Sequence, residues 1–553
     1  MNLLFAFLGV VATVFAASRL VRRTRFFLHL YQLEGYKPNE YRAWVMARLR
    51  THVVRTSHLV GAALLLVGSL LAFAGWPRLG AFAALAGWPV AFASWKLYRS
   101  VPVKKPLAWT DRMKRLRLAT AVVLALVVLA FALDAAFGGF GARLLGAGRG
   151  EAGRAAAWIV YLKGWFVADL FAPFWVLLAG QVMKPVEGRI QEGFKQQARD
   201  KVAARPDLRV VAITGSYGKT SVKFILAELL GQRYNVLATP GSYNTPMGIS
   251  IVVNNQLRPE HQVLVLEMGM RYPGDIKELC EIVRPDVAVV TSVGVAHLET
   301  MGSVEAIAEE KGSLLREMKP GGAAVLNGDD PRVSAMAGVQ GQTLRVSLGD
   351  TGDVTGRDVR YGPDGMSMTV RDETGAEAVF TTKLLGSHNA LNLLLGVAVG
   401  RVFGIRLRAM AEAARRIQPV AHRLALREEN GLLILDDAFN SNPVGAKSAV
   451  DVLGQFRTGR RVIVTPGMVE LGERQVEENR TFGRHIAANA DLAVIVGEVN
   501  GEAIHAGLRD ASYPEDQIIR AKNLYDARER IASWLRPGDV VLYENDLPDQ
   551  YGG

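Results

Sequence analysis

The sequence predicts an α-helical membrane domain followed by two α/β domains, a central one built on a glycine-rich loop and a smaller, Rossmann-like C-terminal one. Three observations predict this. Long apolar runs alternate with basic clusters through the first two hundred residues. A buried-strand pattern at 208–214 runs straight into a glycine loop and then a helical pattern. From residue 422 onward, short apolar strands alternate with helical segments.

A chain of 553 residues can bury two or three cores. Half of it is apolar, and its mean hydropathy is slightly positive, which places apolar residues in spans. The net charge of +12 fits either nucleic acid or an anionic membrane surface. The basic residues crowd between the apolar runs, so the membrane is the expected partner and nucleic acid is not. The single cysteine, Cys280, excludes an intramolecular disulfide and a Cys-based zinc cluster.

Five spans are expected, at 3–17, 59–74, 79–95, 118–136 and 155–183, each near the ~20 residues that cross an apolar core. The first lacks a preceding basic region and is followed by Arg19, Arg22, Arg23 and Arg25, as in an uncleaved anchor. Gly75, Trp76, Pro77 and Arg78 turn the second span into the third. Arg42, Arg48, Arg50 and Arg55 lie in one loop; Arg99, Lys104, Lys105, Arg112, Lys114, Arg115 and Arg117 lie in another. Both loops then face the cytoplasm, which puts the N-terminus outside and everything after Lys184 inside. Lys163 and Asp169 in the fifth span do not share a helix face, so pairing across helices or snorkelling is favoured over a place on a substrate path. Pro173 should kink that span, and a charged helix at 185–204 should link it to the rest. The expected domains are 1–184, the linker 185–204, 205–421 and 422–553.

The central motif is Gly215, Ser216, Tyr217, Gly218, Lys219, Thr220, Ser221 between strand and helix. Gly215 and Gly218 let backbone N–H groups turn toward phosphate oxygens, and the helix N-terminus adds partial positive charge. Lys219 suits β- and γ-phosphates, and the Thr220 hydroxyl suits Mg²⁺. A strand ending at Glu267 places a carboxylate beside this loop, where a hard cation needs one.

The full string TGSYGKTSVK resembles the ATP loop of the Mur ligases, closest to the branch that adds D-alanyl-D-alanine, and the resemblance extends through most of 205–550. The asparagine-bearing string at 241–248 is similar to the family's loop after the second strand. The resemblance implies ATP and two Mg²⁺ as cofactors, with Thr220, Glu267, His297 and Lys311 as metal-site residues. It implies that Lys311 is carbamylated, an ordinary helix lysine being the alternative. Asn389, in GSHNALN beside His388 and Asn392, is implied as the purine contact. Arg423 matches the family's interdomain arginine, which approaches the γ-phosphate; His422 stands where a glycine is usual. The string DDAFNSNP implies that Asp437 and Asn440 lie on the nucleotide side and that Asn442 supports the loop. The segment 466–472 resembles the part that lines the incoming amine.

The implied reaction activates a carboxylate as an acyl phosphate and transfers it to an amine, with Lys219, His297, Lys311 and Arg423 at the reacting centre. A small-molecule amino acid or dipeptide is the amine donor. The spans stand where a nucleotide-sugar-binding domain would be, so two acceptors stay open: a cell-wall precursor, or a lipid-linked or polymeric acceptor as in poly-γ-glutamate synthases. A transporter or regulator with a ligase-like nucleotide domain is the non-enzyme alternative; the spans show no internal repeat to support it. The implied location is multi-pass in the cytoplasmic membrane, with the catalytic domains inside and the oligomeric state open.

Overall fold

The computed structural model describes residues 2–92, 106–137, 151–241, 243–338, 341–419, 422–438, 442–469 and 471–545. The chain falls into two compact units, Met1–Ile190 and Gln191–Gly553.

The first unit is helical: α1 (Asn2–Leu33), α2 (Pro38–Ala47), α3 (Thr56–Phe73), α4 (Pro77–Phe92), α5 (Asp111–Phe137), α6 (Glu151–Leu170) and the first part of α7 (Ala172–Ala203). Among the described residues, α1, α3 and α5 are long and apolar enough to cross a membrane. A fourth crossing is available if α6 and α7, bent by 70° at their junction, count as one. Among the described residues, then, three or four of the five expected spans meet this length and composition. The described part of the third expected span, α4, has 16 residues and is too short; 93–105, including Arg99, Lys104 and Lys105, lie outside the described residues. α3 and α4 do form the expected hairpin. A Cβ on Gly80 would meet the Gly68 carbonyl at 2.3 Å, so only glycine permits this backbone approach.

The fifth expected span is not one kinked helix. It breaks at Phe171, and Pro173 sits in the first turn of α7, where its missing N–H costs no hydrogen bond. α7 then runs unbroken through Pro185 to Ala203, so the expected linker is its second half.

Asp169, just before the break, is buried among polar groups from α1 and α3. Its Oδ2 accepts from Arg19 Nε at 2.9 Å and lies 2.9 Å from His58 Nε2. Arg19 also donates to Ser57 Oγ at 2.9 Å, and Arg23 donates to the Val53 carbonyl at 2.6 Å. Pairing is therefore across helices. Removing one member of a buried ion pair leaves the other charged and desolvated, so Asp169→Ala should destabilise this unit by about 3 kcal/mol or more. A lowered thermal midpoint of the detergent-solubilised protein is the measurement.

In the second unit the first sheet holds β1 (Arg209–Thr214), β2 (Val236–Ala238), β3 (Val263–Glu267), β4 (Val287–Val290), β5 (Ala323–Asn327), β6 (Gln342–Ser347), β7 (Val354–Gly362), β8 (Gly365–Arg371) and β9 (Glu377–Thr382). Their order is β2-β3-β1-β4-β5-β6-β7-β8-β9, parallel up to β7 and antiparallel beyond it. Alternate residues of β1 feed two cores. Val211 and Ile213 pack with α8 (Lys219–Leu230) and, later in the chain, the helix Ser387–Val402. Val210 and Ala212 pack on the opposite side with α9 (Pro246–Gln256), α10 (Asp275–Ile282) and α11 (Val304–Arg316). Burial on both faces explains the continuous apolar run of β1. The chain leaves β1 toward β2 and returns past it to β4, so β1 is the switch point at which open α/β sheets bind ligands.

The helix Ser387–Val402, α12, leads to the second sheet: β10 (Ala425–Glu429), β11 (Leu432–Asp437), β12 (Arg461–Thr465), β13 (Leu492–Val496), β14 (Ile518–Ala521) and β15 (Val540–Glu544). Its order is β10-β11-β15-β12-β13-β14, parallel except for the β10 edge. The four strands expected from sequence are β11, β12, β13 and β15. α13 (Pro443–Gln455) starts at Asn442, whose side chain accepts from Gly445 N at 3.0 Å, so this asparagine caps a helix.

Candidate active site

The loop between β1 and α8 is shaped by its two glycines. Gly215 has φ +151°, and a Cβ there would collide with Thr291 Oγ1; Gly218 has φ +84°, and a Cβ there would lie 2.5 Å from Asn392 Oδ1. Both positions thus exclude side chains for backbone and for contact reasons. Lys219 opens α8 and curls back to donate to the Gly215 carbonyl at 2.7 Å, so its ammonium lies across the loop.

The loop after β4 is stitched onto this one. Ser216 N donates to the Ser292 carbonyl at 2.8 Å, Gly294 N to Ser216 Oγ at 2.8 Å, and Tyr217 N to Ser292 Oγ at 3.1 Å. Thr291 Oγ1 donates to the Tyr217 carbonyl. The Tyr217 ring packs so closely on Gly294 that a Cβ there would lie 2.5 Å from it. These bonds carry His297, exposed and in a left-handed turn (φ +68°), to the same side of the sheet as the glycine loop.

β3 delivers Glu267 beside β1, in register with Ile213. Glu267 is buried, and its carboxylate gathers three donors: Thr220 Oγ1 to Oε2 at 2.9 Å, Lys223 Nζ to Oε2 at 3.3 Å, and Asn244 Nδ2 to Oε1 at 3.0 Å. Thr220 and Glu267 thus bring two hard oxygen ligands together at the foot of the loop. That fits a Mg²⁺ that takes few protein ligands and fills its shell with phosphate and water. Among the described residues no group of three or more His, Cys, Asp or Glu side chains forms a ready-made metal cage.

Arg423 reaches the site from the segment leading into β10. It feels the charges of Glu267 and Asp437, and its own charge acts on Lys219 and His388. His422, standing where a glycine is usual, adopts φ +60°, and its Nδ1 lies 3.1 Å from both Asp436 carboxylate oxygens. Asp437 Oδ1 accepts from Leu424 N at 2.9 Å, next to Arg423. Asn440 and Glu470 lie outside the described residues.

Asn389, the expected purine contact, lies in the first turn of α12. It is buried, donates to the Leu385 carbonyl at 2.8 Å and accepts from Asn392 at 3.2 Å. Asn392 is the residue that meets the glycine loop. His388 Nδ1 lies 3.0 Å from Ser448 Oγ of α13, bridging the two sheets' domains.

Burial, reinforced by the neighbouring Lys219, pushes the buried Lys311 amine down to about 7; Glu310 opposes this. Partial desolvation also lowers His297 from its ordinary value, with Lys219 and Lys311 adding repulsion. Desolvation raises Asp437 to about 6 despite Arg423, and holds His388 down at about 4. Cations thus crowd around one buried carboxylate, an environment made for a polyanion. Lys223 was not singled out from sequence; only its place one turn after Lys219 could have pointed to it.

A phosphate loop at a sheet switch point, with a carboxylate beside it and an arginine supplied by a second α/β domain, defines an ATP-using group-transfer enzyme. The model of the Mur ligase middle domain matches residues 213–400, and that of the Mur ligase glutamate ligase domain matches 422–543. The UDP-N-acetylmuramoyl-tripeptide--D-alanyl-D-alanine ligase of Mycobacterium tuberculosis H37Rv is 34% identical over 357 residues, covering 61% of this chain and 70% of that protein. Its Escherichia coli K12 counterpart is 33% identical over 336 residues, covering 60% and 74%. The Thermotoga maritima MurF ligase crystallised with ADP is 28% identical, with a TM-score of 0.58, covering 64% of this chain and 80% of that one. The Acinetobacter baumannii MurF structure is 25% identical, also with a TM-score of 0.58, covering 64% and 77%. The chain belongs to the Mur ligase family and is an ATP-dependent ligase.

Proposed function

We propose that the chain is a membrane-anchored ligase of cell-wall precursor synthesis that forms an amide between a muropeptide carboxylate and D-alanyl-D-alanine. The observation that carries this is the 2.9 Å contact between Thr220 on the phosphate loop and Glu267 on β3, with Arg423 bearing on the same carboxylate. The named ligases to which it is 33–34% identical supply the substrate pair.

Gly215 to Ser221 cradle the triphosphate. Lys219 and Arg423 offset charge on the transferring oxygens, which is usually the largest catalytic contribution. The acceptor carboxylate attacks the γ-phosphorus and ADP leaves; the amine nitrogen then attacks the acyl carbon, loses a proton, and phosphate departs. Mg²⁺, held by Thr220 and Glu267, supplies Lewis-acid neutralisation of phosphate charge. Asp437 and Asn440 serve the nucleotide side. His297 would hold a second Mg²⁺ if Lys311 carries a carbamate.

Carbamylation needs a neutral amine. The folded pKa of Lys311 is about 7, below the ordinary lysine value, so the neutral form prevails above pH 7 and is lost below it. Carbamate content and turnover should therefore rise together as pH rises through about 7. For the same reason the stability cost of this buried amine is fully present below pH 7 and fades toward the ordinary lysine range. A ¹³C carbamate resonance from labelled bicarbonate, absent in Lys311→Met, is the check; wild type without that resonance would leave Lys311 an ordinary lysine.

A second reading concerns the acceptor. The helical unit Met1–Ile190, with at least three helices apolar and long enough to span a membrane, precedes the matched 213–543 and is the observation behind this alternative, a lipid-linked or polymeric acceptor. With an odd number of spans, as the basic loops require, the N-terminus would lie outside and the catalytic domains on the cytoplasmic face. Purified enzyme given Mg²⁺·ATP, D-alanyl-D-alanine and either UDP-linked or lipid-linked muropeptide decides between the readings. Amide formed only with the UDP-linked acceptor supports the first; amide only with the lipid-linked one supports the second; none with either overturns the proposal.

A further inference from the structure

Lys223 is fully buried one helical turn beyond Lys219, and the chemistry above does not use it. Its ammonium lies 3.3 Å from Glu267 Oε2 and donates to the Gly241 carbonyl. The other Glu267 oxygen accepts from Asn244, whose own carbonyl accepts from Gly269 N at 2.9 Å. Asn244 stands just before Thr245, the residue that caps α9. The connection between β2 and α9 is thus tied to one carboxylate at two points, Gly241 through Lys223 and Asn244 directly. A cation beside a carboxylate that takes Mg²⁺ works against the metal, so an ammonium buried there calls for a compensating role. The second bond of Lys223, to a loop at the ligand-binding end of the sheet, supplies one.

We propose that Lys223 is a positioning residue that couples Glu267 to the loop around Gly241 and Asn244, so that loading the metal site and setting this loop are one event. This rests on the reading of Glu267 as a Mg²⁺ ligand. When Glu267 turns toward the cation, the share of Lys223 held by the carboxylate passes to the Gly241 carbonyl and the loop tightens. The loop also carries the exposed Tyr243.

The test is amide hydrogen exchange of residues 243–248 in the full-length, detergent-solubilised protein with ADP alone and with Mg²⁺·ADP, in wild type, Lys223→Met and Lys223→Gln. In wild type, Mg²⁺ should slow exchange of these amides by about tenfold beyond ADP alone. In both variants, compared at saturating Mg²⁺·ADP, that increment should fall below about twofold. Full Mg²⁺-dependent protection in either variant would overturn the coupling. Wild type that binds ADP without regard to Mg²⁺ would overturn the metal site itself, and the coupling with it.

Discussion

Lys219→Ala should abolish turnover. The ammonium of Lys219 lies across the glycine loop, bonded to the Gly215 carbonyl at 2.7 Å, and it feels the charges of Glu267 and Arg423. Removing it deletes the only lysine that opens α8 at the phosphate cradle, where charge grows as the γ-phosphoryl group transfers. One donor in such a position is worth ~3–4 kcal/mol, a loss of some hundreds-fold in kcat or more. The fold should survive, because Lys219 is only half-buried and bonds to a loop carbonyl rather than to the core. The measurement is ADP release under saturating acceptor and amine, with the thermal midpoint as control. ADP-coupled amide formation at wild-type rates in this variant would refute the site.

Arg423→Ala should cost about a thousandfold in kcat with a much smaller change in the KM for ATP. Arg423 comes from the segment entering β10, whereas Lys219 and Glu267 belong to the first sheet, so its charge acts where the two domains meet. An interaction made chiefly in the transition state lowers kcat rather than binding. Arg423→Lys should recover little, since a point charge does not reproduce the guanidinium fork. Steady-state kinetics in varied ATP separates the two parameters; a variant that raised KM alone would make Arg423 an ordinary binding residue.

Some of this architecture is legible in the sequence because it is written locally. The apolar run of β1, the glycines at 215 and 218 and the Lys-Thr pair are contiguous, so one short string specifies strand, turn and helix. Glu267 is legible because it ends a strand, and parallel strands in such sheets deliver their C-terminal ends to one edge. Other features depend on partners far along the chain. Asp169 reads as a costly charge in an apolar helix, but Arg19, its partner, is 150 residues away, and no local pattern selects it. The break at Phe171 follows from where that ionic cluster holds the chain and from Pro173 suiting a helix start, which periodicity alone reads as a kink. Asn389 was legible only through its motif: it is buried and bonded to the Leu385 carbonyl, and Asn392, one turn later, lies against the glycine loop. The antiparallel strands β7 to β9 carry no motif and were not anticipated. His422 shows that a motif departure can keep the motif's geometry, because the position requires positive φ and the histidine adopts it with Asp436 as partner.

The most direct measurement of the central claim follows oxygen. Acceptor carboxylate labelled with ¹⁸O, incubated with Mg²⁺·ATP and the amine, should yield one ¹⁸O in the released inorganic phosphate, with ADP and amide formed one to one, because the attacking carboxylate oxygen leaves with the phosphoryl group. Amide accompanied by unlabelled phosphate, or by AMP in place of ADP, would contradict the account.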